Sequence, residues 1–292
     1  MKHARHPDVS RARGTSGSSR ARLAGAPQHV AIERNRVNYE LPDELTVTSE
    51  GPIRIVTINR PEARNAVNKA LHTGLARVWD QLADDTDARA VVITGKGKAF
   101  CAGGDMEWFL ELNESGVERR RLLREAKMIA RNQVACPLPI VAAVNGPAVG
   151  LGCSVALMCD YVVMADRALL ADPHVAVGLV AGDGGAATWH LFTSMLIAKQ
   201  YVLLGDPIRA DAALRYGLCN EVVPSEEVVD RAMAMAQRFA DLPPLALRDT
   251  KRALNMHFDR VIDGVMDYAL KAEDITFTTD ELRAKALQFL DR

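Results

Sequence analysis

The hydrophobic pattern of this chain begins late. Little apolar material precedes Val30, and Arg5, Arg11, Arg13, Arg20 and Arg22 stand among Ser, Gly and Ala, so residues 1–42 are expected to form a flexible tail. From Leu45 the pattern becomes ordered. Residues 45–48 alternate like a half-exposed strand, Gly51 and Pro52 mark a turn, and 53–58 resume the alternation, which predicts a β-hairpin. Leu71, Leu75, Val78, Trp79 and Leu82 then share one helical face, and 90–94 is a short, continuously apolar run of the kind found in strands buried on both faces. Similar runs at 140–144 and 161–164, separated by stretches with helical spacing, predict an α/β core over residues 43–230. Strand signals almost vanish after about residue 194. Helical periodicity then dominates, including 228–239 and 261–272 with Pro243 and Pro244 as a break, so 231–292 is expected to be a helical region that serves as a lid or an oligomerisation element.

Composition narrows the functional classes. With 292 residues and 48% hydrophobic content the chain can bury a substantial core. Its 36 Lys plus Arg nearly cancel its 37 Asp plus Glu, so no overall basic field recruits nucleic acid or an anionic membrane. The five cysteines show no CxxC spacing, which fits reduced thiols and a cytoplasmic location better than a disulfide framework. No apolar stretch approaches the roughly 20 residues of a membrane-spanning helix. The Arg- and Ser-rich start also resembles an organelle transit peptide, although Pro7, Gly14, Gly17 and Pro27 interrupt any long amphipathic helix there.

The most informative segments are two glycine-rich strand-to-helix turns. One runs from the 91–94 strand through GKGKAFCAGGD to a helix beginning at Met106; the other, NGPAVGLGCS at 145–154, again follows a strand and precedes an apolar helix. Such turns let a ligand approach main-chain N–H groups closely. A single glycine-rich turn is usually only a turn. Neither a Walker A sequence nor a GxGxxG fingerprint with a downstream acid is present, which leaves nucleotide binding weakly supported.

Taken together, INRPEARNA at 58–66, AFCAGGD at 99–105, VNGPAVGLGC at 144–153 and ADPHVAVGLVAGDGG at 171–185 resemble, in order and separation, the signature segments of the crotonase (enoyl-CoA hydratase/isomerase) superfamily. The resemblance implies an α/β fold, a spiral of ββα units with a C-terminal helical trimerisation region, assembled as a homotrimer or dimer of trimers. It implies a small-molecule acyl-CoA substrate, with coenzyme A entering as part of the thioester, no separate cofactor, no metal, and neither nucleic acid nor membrane as partner. By the same resemblance the peptide N–H groups of Gly104 and Leu151 form an oxyanion hole for the thioester oxygen. Ala63, Arg64, Ala66, Ala102, Gly103, Asp105, Met106, Gly150 and Pro173 would then lie along the acyl-CoA path, with Arg64 able to pair with phosphate or to remain a solvated surface residue.

The sequence departs from that family where its hydratases carry two glutamates: the corresponding residues are Ser154 and His174. His174 and Asp183 are the candidates to move protons instead, since an imidazole titrates near pH ~6.5 and a neighbouring carboxylate can orient it. A histidine that only bonds its loop and an aspartate that only forms a turn or caps a helix are the plainer alternatives. Ser154 has no evident activating base. Trp189 and His190 are expected to pack a helix, Asp105 to hold its loop, and Cys101 and Cys153 to fill space. Three functions stay open: an enoyl-CoA hydratase, an isomerase or C–C bond hydrolase of the same superfamily, and a non-catalytic acyl-CoA-binding subunit.

Overall fold

The computed structural model describes residues 38–291. Most of the expected tail, residues 1–37, lies outside the described residues; Tyr39 and Leu41 pack against the core. The hairpin forms as its alternation predicts: β1 (Leu45–Glu50) pairs antiparallel with β2 (Ile53–Ile58), in register Leu45 with Ile58. Helix α1 (Lys69–Ala83) follows, capped by the Asn68 side chain accepting the Leu71 N–H at 2.9 Å, and buries the Leu71, Leu75, Val78, Trp79 and Leu82 stripe. Strand β3 (Ala90–Gly95) is buried throughout and pairs parallel with β2. Then come α2 (Met106–Glu114), α3 (Gly116–Ala135), β4 (Ile140–Val144), β5 (Ala148–Val149), α4 (Leu151–Leu157), β6 (Tyr161–Ala165) and β7 (Leu169–Ala171). The remainder comprises α5 (Gly185–Phe192), α6 (Met195–Leu204), β8 (Ile208–Arg209), α7 (Ala210–Arg215), β9 (Glu221–Val223) and α8 (Val228–Ala240), followed by α9 (Pro244–Val261), α10 (Asp267–Thr276) and α11 (Asp280–Leu290).

The main sheet has six strands in the order β1-β2-β3-β4-β6-β9, parallel from β2 onward, and a second sheet of three runs β5-β7-β8. The expectation that strands end near residue 194 is therefore corrected by β8 and β9. Both are too short for a period of two to show, and β9, half-buried beside β6, carries a glutamate rather than an apolar run. Helix α8 lies across β2, β3, β4 and β6, so the helical periodicity read at 228–239 buries its stripe against the sheet. The periodicity at 261–272 belongs to one long helical passage, in which a π-helical turn at Ile262–Met266 joins α9 to α10. Ile262, Met266 and Leu270 pack with Ala126 and Ala130 of α3 and Ala187 of α5, which presses α10 onto the body of the molecule.

Buried polar groups fix two edges of this scaffold. Arg54 of β2 binds Asp85 through Nε at 2.5 Å and Nη2 at 3.1 Å, and the Tyr39 hydroxyl donates to the same carboxylate at 2.6 Å. Lys251 of α9 donates to Asp160 at 2.6 Å and to the Leu138 carbonyl at 2.7 Å. No described helix is long and apolar enough to cross a membrane.

Candidate active site

Three loops at the ends of β2, β3 and β4 are tied together by main-chain bonds. Asn65 is fully buried with a left-handed φ of 61°; its side chain accepts the Arg60 N–H at 2.8 Å and donates to the carbonyls of Lys96 at 3.0 Å and Ala99 at 2.8 Å. The Ala102 N–H donates to Arg64 at 3.1 Å, which brings the 60–66 loop against the first glycine-rich turn. Arg64 itself is exposed at the outside of this loop between half-buried Ala63 and buried Asn65, with half-buried Ala66 beyond. Neither it nor exposed Lys96 and Lys98 has an acidic partner among the described residues.

The direction of the Gly104 amide follows from the same ladder. Val67 donates to the Gly103 carbonyl at 2.7 Å and accepts from the Asp105 N–H at 3.0 Å, so its bonds flank Gly104 and leave that residue's N–H turned to the opposite edge. Along that edge runs the second turn, held by Cys101 N–H to Pro147 at 3.0 Å and Val149 N–H to Cys101 at 2.9 Å. Gly150, with φ 53°, donates to Ala171 at 2.9 Å and precedes α4. Leu151 is the first residue of that helix, where an N–H has no intrahelical acceptor. Gly104 and Leu151 thus line one cavity of about 30 Å³ together with His174, Asp183, Val67, Trp108 and Phe109.

Asp105 caps α2, accepting the Glu107 N–H at 3.1 Å, and pairs with Arg60 at 3.1 Å, so its carboxylate holds the loop. Met106 opens α2 half-buried, and Gly103 takes a φ of 92° against Val149. Pro173 stands between Asp172 and His174 with its Cα beside Gly205, and it is not among the residues that line the cavity. Cys101 and Cys153 are completely buried. Burial pushes the Cys101 thiol up to about 12 and the Cys153 thiol well above its usual value, which keeps both in the unreactive thiol form. Trp189 is buried in α5 and stacks on Tyr201.

The structure brings His174 and Asp183 together and adds a carboxylate that the motifs did not single out. His174 Nδ1 lies 2.5 Å from Asp172 Oδ1, and its Nε2 lies 3.3 Å from Asp183 Oδ2. Burial alone would keep this ring neutral, but the charges of Asp183 and Asp172 and their hydrogen bonds outweigh it, raising its pKa well above the usual 6.5. Asp183 does not cap α5, whose N-cap is Gly184. Its Oδ1 is buried without a hydrogen-bond partner and belongs to a residue that lines the cavity. Asp172 is placed by the end of β7, and its Oδ2 lies against Gly185, where any Cβ would meet it at 1.5 Å.

Asp172, His174 and Asp183 could offer ligand atoms to a cation within 4.8 Å of one another. The 2.5 Å contact is instead that of a direct hydrogen bond; two donors on one ion at about 2.1 Å each stand roughly 3 Å apart. Ser154 is wholly buried and its hydroxyl has no partner; no base touches it among the described residues. Glu273 of α10 also reaches the cavity, and the sequence signal for it was faint: an acid on the helix stripe otherwise occupied by Ala269 and Leu270.

Comparison with known proteins places the chain in a family. Residues 48–292 match the family model described as enoyl-CoA hydratase/isomerase. Over 251 residues the chain is 31% identical to the short-chain-enoyl-CoA hydratase of Clostridium acetobutylicum, covering 86% of this chain and 95% of that one. It is 36% identical over 211 residues to the 2,3-dehydroadipyl-CoA hydratase of Escherichia coli, covering 72% and 81%. A crystal structure of an enoyl-CoA hydratase/isomerase from Mycobacterium paratuberculosis superposes with a TM-score of 0.84 at 47% identity, over 86% of this chain and all 100% of that one.

Proposed function

The chain belongs to the enoyl-CoA hydratase/isomerase family, and from that premise we propose that it adds water across the double bond of a trans-2-enoyl-CoA. In this reading the N–H groups of Gly104 and Leu151 bind the thioester oxygen, and the Asp172–His174–Asp183 chain replaces the glutamate pair of other family hydratases. The observation that carries it is the unpaired Oδ1 of Asp183 on a residue that shares a cavity with both amides.

The chemistry follows from that placement. A water oxygen bonds to Cβ as its proton passes to Asp183, the double-bond electrons move onto the thioester oxygen, and Cα takes up a proton to complete the addition. Charge grows on the oxygen during this step, and fixed amide donors stabilise it without reorganising, each at about 10²–10³ in rate. His174, protonated between its two carboxylates, donates to Asp183 and keeps its second oxygen aimed at the water. The cavity as it stands holds water-sized groups, so Trp108 and Phe109, whose ring lies on Gly104, must swing aside for the acyl chain.

Arg64, with Lys96 and Lys98 near it on the tied loops, suits the phosphates of coenzyme A. Exposed Leu203 and Leu204 at the end of α6, with Leu254, Tyr268 and Phe289 on α9, α10 and α11, fit burial in a trimer or dimer of trimers, and the free, buried cysteines fit a cytoplasmic setting. Incubation with trans-2-enoyl-CoAs of several chain lengths tests the proposal: loss of the conjugated thioester supports it, and no turnover with any of them removes it. A proton shift between Cα and Cγ, or hydrolysis of a C–C bond next to a carbonyl, remains the second reading, because a His174–Asp183 pair beside two amides also meets the needs of a single-base reaction.

A further inference from the structure

Two ionisable groups that line the cavity, His72 and Glu273, take no part in the steps above; His72 is engaged by Glu125, and the Glu273 carboxyl is not engaged. Glu273 lies on the buried stripe of α10 and is 3% exposed. Its Oε2 has no hydrogen-bond partner and sits 2.3 Å from where a Cβ on residue 182 would be; glycine at 182 is what admits it beside Asp183. It lines the same cavity as Gly104, Leu151, His174 and Asp183. We propose that Glu273 is the acid that protonates Cα, supplying from the C-terminal helices the second carboxyl that positions 154 and 174 lack. The inference rests on the hydratase reading and deepens it.

Burial, reinforced by the charges of Asp183 and Asp172 and opposed by that of His174, holds the Glu273 carboxyl protonated, its pKa well above the usual 4.5. Glu273 can therefore bring a proton, which complements the base role given to Asp183 above. The balance closes. The C–O bond forms at Cβ while the water proton goes to Asp183; the enolate then takes the Glu273 proton at Cα, leaving Asp183 protonated and Glu273 ionised. Passage of one proton from Asp183 to Glu273 restores both, with one water added and no electron transferred. The titratable groups facing Glu273 are His174, Asp183 and Asp172 from the loops and His72 of α1 across the cavity, the last bound to Glu125 at 3.1 Å.

The test pairs hydration of a short trans-2-enoyl-CoA with exchange of the α protons of butyryl-CoA in D2O, followed by NMR. Exchange needs ionised Glu273 and hydration needs it protonated, so with wild-type protein the first rises and the second falls as pH increases through one titration. Glu273→Gln is expected to lower both rates by about 10²–10⁴-fold, remove that titration and leave the butyryl-CoA dissociation constant within about threefold. Gly182→Ala, which displaces the carboxyl without altering it, is expected to slow both reactions as well. Exchange that depends on Glu273 without any hydration sinks the hydratase reading and keeps the acid. Either of two results overturns the acid: a Glu273→Gln variant that exchanges within threefold of wild type, or a wild type that exchanges no α proton.

Discussion

Replacing Leu151 by proline deletes one N–H from the cavity while leaving α4 its hydrogen bonds. Leu151 is the first helical residue, where the amide has no intrahelical acceptor and proline's fixed φ suits the backbone. Its side chain is 5% exposed, so any replacement also costs packing; leucine to alanine in a core typically costs about 2–5 kcal/mol. Leu151→Ala is therefore the companion, losing side chain but keeping the amide. One preorganised donor is worth about 2.7–4 kcal/mol, so Leu151→Pro should turn over about 10²–10³-fold more slowly than Leu151→Ala, in kcat rather than KM. The assay is disappearance of the conjugated enoyl thioester, with circular dichroism and thermal melts confirming that both variants fold. A folded Leu151→Pro protein with kcat within fivefold of Leu151→Ala would refute the idea that this amide stabilises developing charge.

Asp172→Asn removes one of the two carboxylates that hold His174; a lost charge-assisted bond of about 1.5–3 kcal/mol predicts a kcat lower by about 10–10²-fold. It also removes a charge that raises the pKa of both the ring and Glu273, so the alkaline loss of activity should begin at lower pH than in wild type, as a pH–rate profile would show. Arg54→Ala strands the Asp85 carboxylate, 5% exposed, beside Tyr39, and should cost about 3–5 kcal/mol in denaturant unfolding. Burial raises the Asp85 pKa, but bonds from Arg54 and Tyr39 lower it below its usual value overall. Its stabilisation is present above the unfolded pKa and lost as pH falls through the folded one, so the gap between variant and wild type should shrink in acid. Glu273→Gln should raise the melting temperature, and more at pH 8 than at pH 5. The raised pKa means that the native state favours the protonated acid, a contribution lost as pH rises through it, and glutamine does not titrate.

The hairpin, the buried parallel strands and α1 were legible because their side-chain periods, two and 3.6, express directly which face is buried. Strands β8 and β9 were not, since two or three residues carry no period and their place is set by the neighbours they complete. His174 and Asp183 could be picked out by sequence position, but their meeting depends on the turn at Val175–Val177 and on Gly178, whose φ of 88° folds the loop back. Asp172 was visible only as a loop neighbour of the histidine; its second oxygen finds room because residue 185 is glycine. Glu273 comes from a helix far along the chain, and its approach depends on the apolar packing of α10 on α3 and α5 and on the bare Cα of Gly182.

A crystal structure with a non-reacting acyl-CoA bound tests the central claim most directly. The account predicts the thioester oxygen within about 2.7–3.1 Å of both the Gly104 and Leu151 nitrogens, with Cβ facing Asp183 and Phe109 moved off Gly104. A thioester lying outside this cavity, or one whose oxygen meets neither amide, would contradict it.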